Sequence, residues 1–187
     1  MVAGGTVMMR ALSEVGAIVH KAALGAGIPV GQADDLARTA VHMAGHREAL
    51  KPIVDALTEP QEAVDVAWGG DRLVIKAGHA AMTAPIVKDG FATGVRKVRL
   101  CRPSHLSLVI AMLAEAGMQV QADGTLIEKI GFATPDPVMG PVDVPAEIWN
   151  AFATLAAKTY VPASETSRSG GAGAGLTDND WANGSVG

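Results

Sequence analysis

The chain has 187 residues and a formal net charge of -4, and 49% of its residues are hydrophobic but only 4% aromatic. That length points to one domain with a core built mainly from aliphatic side chains. The acidic balance disfavours non-specific nucleic-acid binding, which needs Lys and Arg to neutralise phosphates, and the single cysteine, Cys101, excludes an internal disulfide.

The start, MVAGGTVMMRALSEVG, has no basic segment followed by an apolar run, so no signal peptide is expected. The first third reads as helical. Leu12, Val15, Val19, Ala22 and Ala23 share a face at helical spacing, and Gly25 and Gly27 end that run. A second helix is expected from Gln32 to about His46, with Leu36, Ala40 and Met43 on one stripe. Asp34 and Asp35 sit near its start, where the helix dipole favours negative charge. A shorter third helix fits Glu48 to Leu57, with Pro52 inside it.

The period then changes. Val64, Val66 and Trp68 alternate, Gly69-Gly70-Asp71 makes a turn, and Leu73 to Ile75 completes a hairpin. His79 to Phe91 fits a short helix containing Pro85. Val95 to Arg102 alternates apolar and basic residues and reads as a strand, its exposed side carrying Arg96, Lys97, Arg99 and Arg102. Pro103-Ser104 opens an apolar helix, with Ser104 as cap, that Gly117 stops. The apolar stretch from Pro103 to Ala114 is too short to span a bilayer. Met118–Gln121 and Thr125–Ile130 pair around Ala122-Asp123-Gly124. Pro135 to Pro145 is a proline-rich connector, and Glu147 to Tyr160 a last helix with Ile148, Phe152 and Leu155 inward. Trp68 and Trp149 are expected to pack.

These elements predict an α+β fold: N-terminal helices packed with a small mixed, largely antiparallel sheet. Residues 1–187 form a single domain, with a helical part at 1–60, an α/β body at 61–160 and a glycine-rich loop at 161–187.

That loop, SETSRSGGAGAGLTDND, carries the main chemical expectation. Alternating glycines allow positive φ and close approach of backbone to ligand, and successive N–H groups can converge on an anion. Gly171, Gly173 and Gly175 are therefore expected to bind substrate beside Arg168, whose planar fork suits a carboxylate or phosphate. Asp178, Asp180, Tyr160 and Ser167 are the candidate catalytic groups, moving protons or, for the two acids, holding a divalent metal. The stretch matches neither GxxxxGK[ST] nor GxGxxG before a helix. The opposing reading is a flexible terminus.

Other candidates are weaker. His42 and His46 are four apart, a spacing compatible with zinc, but no HExxH and no third ligand accompany them. No metal ligand is assigned. His20 and His79 read as surface or satisfied-core residues, His105 as part of a helix cap, and Cys101 as a buried thiol.

Two stretches resemble an uncharacterised bacterial family, domain of unknown function 3726: LSEVGAIVHKAALGAGIPVGQADDLARTA from Leu12 to Ala40, and TYVPASETSRSGGAGAGLTDND from Thr159 to Asp180. The resemblance implies a stand-alone bacterial protein of about this size. It brings no established activity, and favours a functional or structurally fixed loop over a frayed tail.

The expected function is a cytoplasmic hydrolase- or lyase-type enzyme acting on a small anionic metabolite. The alternative is a non-catalytic accessory subunit or ligand-binding module whose C-terminal loop docks into a partner. Self-association, through the small faces of Ala-rich helices, fits both readings; nucleic acid and membrane are not expected partners.

Overall fold

The computed structural model describes residues 6–69, 72–102, 105–133 and 140–159. Among them lie β1 (Val7–Arg10), α1 (Leu12–Gly25), α2 (Val30–Gly45), α3 (Lys51–Thr58), β2 (Asp65–Gly69), β3 (Arg72–Ala77) and α4 (Ala80–Ala92). Then follow β4 (Lys97–Leu100), α5 (Leu106–Glu115), β5 (Met118–Asp123), β6 (Leu126–Phe132), β7 (Val142–Pro145) and α6 (Ala146–Ala157). The fold is α+β, as the alternation of periods predicts.

Helices α1, α2 and α6 form the helical layer. Val15, Val19, Ala22 and Ala23 of α1 are buried, as are Leu36, Ala40 and Met43 of α2 and Phe152 and Leu155 of α6. Small side chains let these helices approach closely. At Gly25 an added Cβ would lie 2.0 Å from the backbone oxygen of Leu155, so α1 and α6 meet there with no room for any side chain. Helix α2 closes through Glu48, whose N–H donates to the Met43 carbonyl at 2.8 Å, with Arg47 left-handed at φ 59°. Residues 46–47 form the turn, residues 48–50 lead on from it, and α3 starts later than the apolar pattern implies. Pro52 sits in its first turn, where a missing N–H costs nothing. Asp34 and Asp35 fall past the first turn of α2 and act through ion pairs instead, with His20 and Arg38 respectively.

The five-stranded sheet has the order β2-β3-β4-β6-β5. Its one parallel pair, β3 with β4, is joined through α4; all other neighbours are antiparallel. Leu73, Ile75, Val98, Leu100 and Ile127 make its buried face, against which α4 and α5 set Val87, Phe91, Leu108 and Val109. Burying each such side chain contributes roughly 1.5–3 kcal/mol. The other face is charged: Arg99 is exposed, and Lys97 Nζ lies 3.1 Å from its cross-strand partner Glu128. The β5–β6 hairpin turns through Gly124-Thr125, with the glycine at φ 56° in the first loop position.

Three expectations are corrected. The first third is not all helix, and 135–145 is not all connector. Val7–Arg10 and Val142–Pro145 pair as a separate antiparallel ribbon. Four residues ending in a proline give too little alternation to be seen, and each strand finds its partner more than 130 residues away in sequence, as the register Val7↔Pro145 shows. Trp68 does not pack: it lies on an edge strand and is 68% exposed. Trp149 does, partly buried against the core with the Arg10 guanidinium 4.3 Å from its ring centre. Among the described residues no helix is long and apolar enough to cross a membrane.

Candidate functional site

The parallel pair β3/β4 ends at a place where chain direction and helix polarity coincide. Both strands point their carboxyl ends toward the joints that lead into α4 and α5. In open α/β sheets such joints are where ligands bind.

The first joint is Gly78-His79. Gly78 has φ 152°, and a Cβ there would meet Val64 Cγ2 at 2.9 Å and Thr83 Oγ1 at 3.0 Å. Only glycine fits. His79 is 2% exposed, with Nε2 2.6 Å from the Ala56 carbonyl and Nδ1 accepting from the Ala81 N–H at 3.2 Å. One imidazole tautomer, with the proton on Nε2, serves both bonds. His79 thus caps α4 and ties it to α3. It is the satisfied-core histidine the sequence predicts, and both ring nitrogens are occupied.

The second joint follows Leu100. Cys101 donates its N–H to the Ile75 carbonyl at 2.8 Å, and Arg102 lies just beyond. Cys101 is exposed rather than buried, because the chain bends out of the strand there. His105 occupies the N-cap position of α5 without a side-chain cap bond, and its backbone is left-handed at φ 51°, ψ 53°. Its Nε2 lies 3.0 Å from Glu59 Oε2, within ion-pair range although the ring N–H is not aimed squarely at that oxygen. The imidazole is therefore not a cap. It is the partner of a carboxylate at the end of α3. A non-glycine residue at positive φ carries a backbone cost of order 1–3 kcal/mol, and such residues gather at functional sites.

Two adjoining hollows open between the joints, and Gly78 and Arg102 line both. The outer, about 140 Å³, is walled also by Glu59, Pro60, Glu62 and His79. The inner is a niche of about 10 Å³ among Ile75, Thr83, Leu100 and Val109. Thr83 is 4% exposed, and its Oγ1 is buried with no hydrogen-bond partner.

Tyr160, Ser167, Arg168, Gly171, Gly173, Gly175, Asp178 and Asp180 all lie outside the described residues. Ser104, the expected cap, does too. His42 and His46 do meet, with ring centres 4.3 Å apart on α2, and His46 Nδ1 is 2.8 Å from the His42 carbonyl oxygen. Burial, and secondarily the neighbouring His46, lower the His42 pKa from its ordinary value of 6.5, against weaker opposing effects of Glu48 and Glu115. Among the described residues no three His, Cys, Asp or Glu side chains converge as a metal site would require.

Glu59, Glu62, Gly78, Thr83 and Arg102 escape a sequence reading of the site. The signal was present in the strand–glycine–helix joint at Ala77-Gly78-His79 and in the basic residue two positions past the end of β4. It becomes visible only once β3 and β4 are known to be parallel neighbours. No family model, no curated protein and no solved structure matches the chain.

Proposed function

We propose that the protein is an enzyme of hydrolase or lyase type acting on a small anionic metabolite at the joints that follow β3 and β4. One observation carries this reading: Arg102 and Glu59, the carboxylate that His105 contacts, wall one hollow at the carboxyl ends of parallel strands. Arg102 supplies a planar fork for a carboxylate or phosphate. His105 is the proton carrier, reached from the hollow past Glu59, which orients its ring. Neither role needs a large organic cofactor. The segment from residue 160 belongs to the same proposal as a second source of anion-holding groups, with Arg168 the foremost.

The test is a thermal-shift screen of the full chain against small carboxylates and phosphates, with and without divalent metal. A specific ligand raises the melting point by linkage. Arg102→Ala is expected to abolish the shift, and Arg168→Ala to reduce it if the terminal segment contributes. A shift that survives both substitutions unchanged defeats the reading. His105→Ala should spare binding, because His105 is assigned to the proton and not to the anion.

A second reading, a non-catalytic accessory subunit, has one surface in its favour. At the opposite end of the sheet, Ile130 and Phe132 are 61% and 69% exposed beside a hollow of about 270 Å³ that Phe91, Val95 and Lys129 also line. Exposed apolar side chains so grouped are the kind of surface that partners cover. Size-exclusion chromatography with light scattering over a range of concentrations tests whether a second copy of the chain covers this surface.

A further inference from the structure

The charges around the outer hollow are of both signs. Arg102 and Glu62 line the same 140 Å³ space, yet no ion pair joins them, and neither has a charged partner among the described residues. Glu59 adds a second carboxylate to that wall, engaged with His105. A dianion such as phosphate would meet Arg102 and two carboxylates at once. A ligand with charges of both signs would satisfy the wall as it stands.

The niche narrows the choice further. About 10 Å³ is room for one water-sized atom. Its only unmet polar demand is Thr83 Oγ1, and the rest of its wall, outside Arg102, is Ile75, Ala77, Gly78, Leu100 and Val109. One oxygen entering here can take the hydroxyl's proton in a hydrogen bond. The next oxygen of a planar carboxylate then falls toward Arg102, which borders both spaces. A phosphate would bring further oxygens toward Glu59 and Glu62, which accept and do not donate when ionised. The outer space, well below the roughly 300 Å³ of a drug-sized pocket, takes only a small body.

We infer that the ligand is a small zwitterion of the α-amino-acid class, with its carboxylate between Thr83 Oγ1 and Arg102 and its ammonium toward Glu62. This deepens the anion-site reading above and rests on it. Gly78 lines both niche and hollow, and a Cβ there would press to 3.0 Å from Thr83 Oγ1.

The test is calorimetric titration of the full chain with L-alanine, L-serine, propionate and inorganic phosphate. The amino acids should bind at least about tenfold more tightly than propionate, the scale of one charge-assisted contact. Glu62→Gln should erase that preference and leave propionate unchanged. Thr83→Val should weaken amino acids and propionate alike by about tenfold, while Thr83→Ser, which keeps the hydroxyl, restores affinity. Arg102→Ala should abolish all binding.

Propionate binding as tightly as L-alanine, or a preference that survives Glu62→Gln, overturns the zwitterion and leaves the anion site standing. Phosphate as the one Arg102-dependent ligand does the same. Thr83→Val with unchanged affinity shows the niche to hold only a water. Absence of any Arg102-dependent binding removes the inference and the underlying reading together.

Discussion

Two buried threonines mark how differently the two halves of this molecule are built. Thr39 of α2 is fully buried, and its Oγ1 donates to the Asp35 carbonyl at 2.8 Å. Thr83 of α4 is nearly as buried, and its Oγ1 has no hydrogen-bond partner among the described residues. The same contrast runs through their surroundings. The helical layer spends its small residues on contact: Ala22, Ala23, Ala33 and Ala40 have no exposed surface, and Gly25 sits against the backbone of α6. The rim beyond β3 and β4 keeps a left-handed histidine, an arginine without a carboxylate partner among the described residues, and a glycine at φ 152° whose place no side chain could take. Local violations of packing and hydrogen-bonding rules mark functional ground when the rest of the fold obeys them. The difference teaches where to look: among the described residues the rim leaves its buried threonine hydroxyl unmet, whereas α2 satisfies its own.

The strongest way to break the contrast is to open the helical layer. Gly25→Ala places a methyl 2.0 Å from the Leu155 carbonyl oxygen, which is backbone and cannot rotate away. Overpacking of this kind costs about 3 kcal/mol. For a chain of this length that corresponds to a melting point lower by roughly 6–12 °C. A variant that melts with the wild type would mean that α1 and α6 are not in close contact, and the helical layer would lose its claim to be the tightly packed half.

The threonine pair sharpens the comparison at smaller scale. Thr39→Val removes a satisfied buried hydrogen bond and should cost about 1 kcal/mol by urea denaturation. Thr83→Val removes an unsatisfied hydroxyl, so stability should hold or rise by up to about 1 kcal/mol. The same variant is the one expected to lose ligand affinity. Opposite movements of stability and binding from one methyl-for-hydroxyl exchange are what a site kept at the expense of the fold produces. Equal losses from the two variants would show that Thr83 has a partner after all and that the rim is not under cost.

The helical layer was the more legible half. Apolar positions at helical spacing in 12–23 and 32–46 mark faces that the structure buries, since one strong period decides each helix. The hairpins of the sheet were legible through their glycines. The ribbon of Val7–Arg10 with Val142–Pro145 was not, because four-residue strands carry almost no alternation. Nor was the rim. His105 and Glu59 are 46 positions apart, a relation no local pattern records. Arg102 looked like one more base on the exposed side of a strand, when it stands past the strand's end. Cys101 reads as a buried thiol ending an apolar strand, but the strand stops at Leu100 and Cys101 is exposed. The glycine-rich segment drew attention through composition, and its residues lie outside those the structure describes.

The smallest expected effect tests whether the helical layer too carries a cost, at its exposed end. His42 is held below its ordinary pKa of 6.5 first by burial and then by the adjacent His46. The folded state therefore resists the proton that the unfolded chain accepts. The sign follows by linkage: this contribution to stability is full above pH 6.5 and is lost as the pH falls through the lowered value. Glu48 and Glu115 oppose the shift, which keeps the effect small. His42→Gln should leave the melting point unchanged at pH 8 and flatten its decline on acidification below pH 6.5, by less than the Thr39→Val effect. A decline of equal slope in the two proteins would place the acid sensitivity elsewhere.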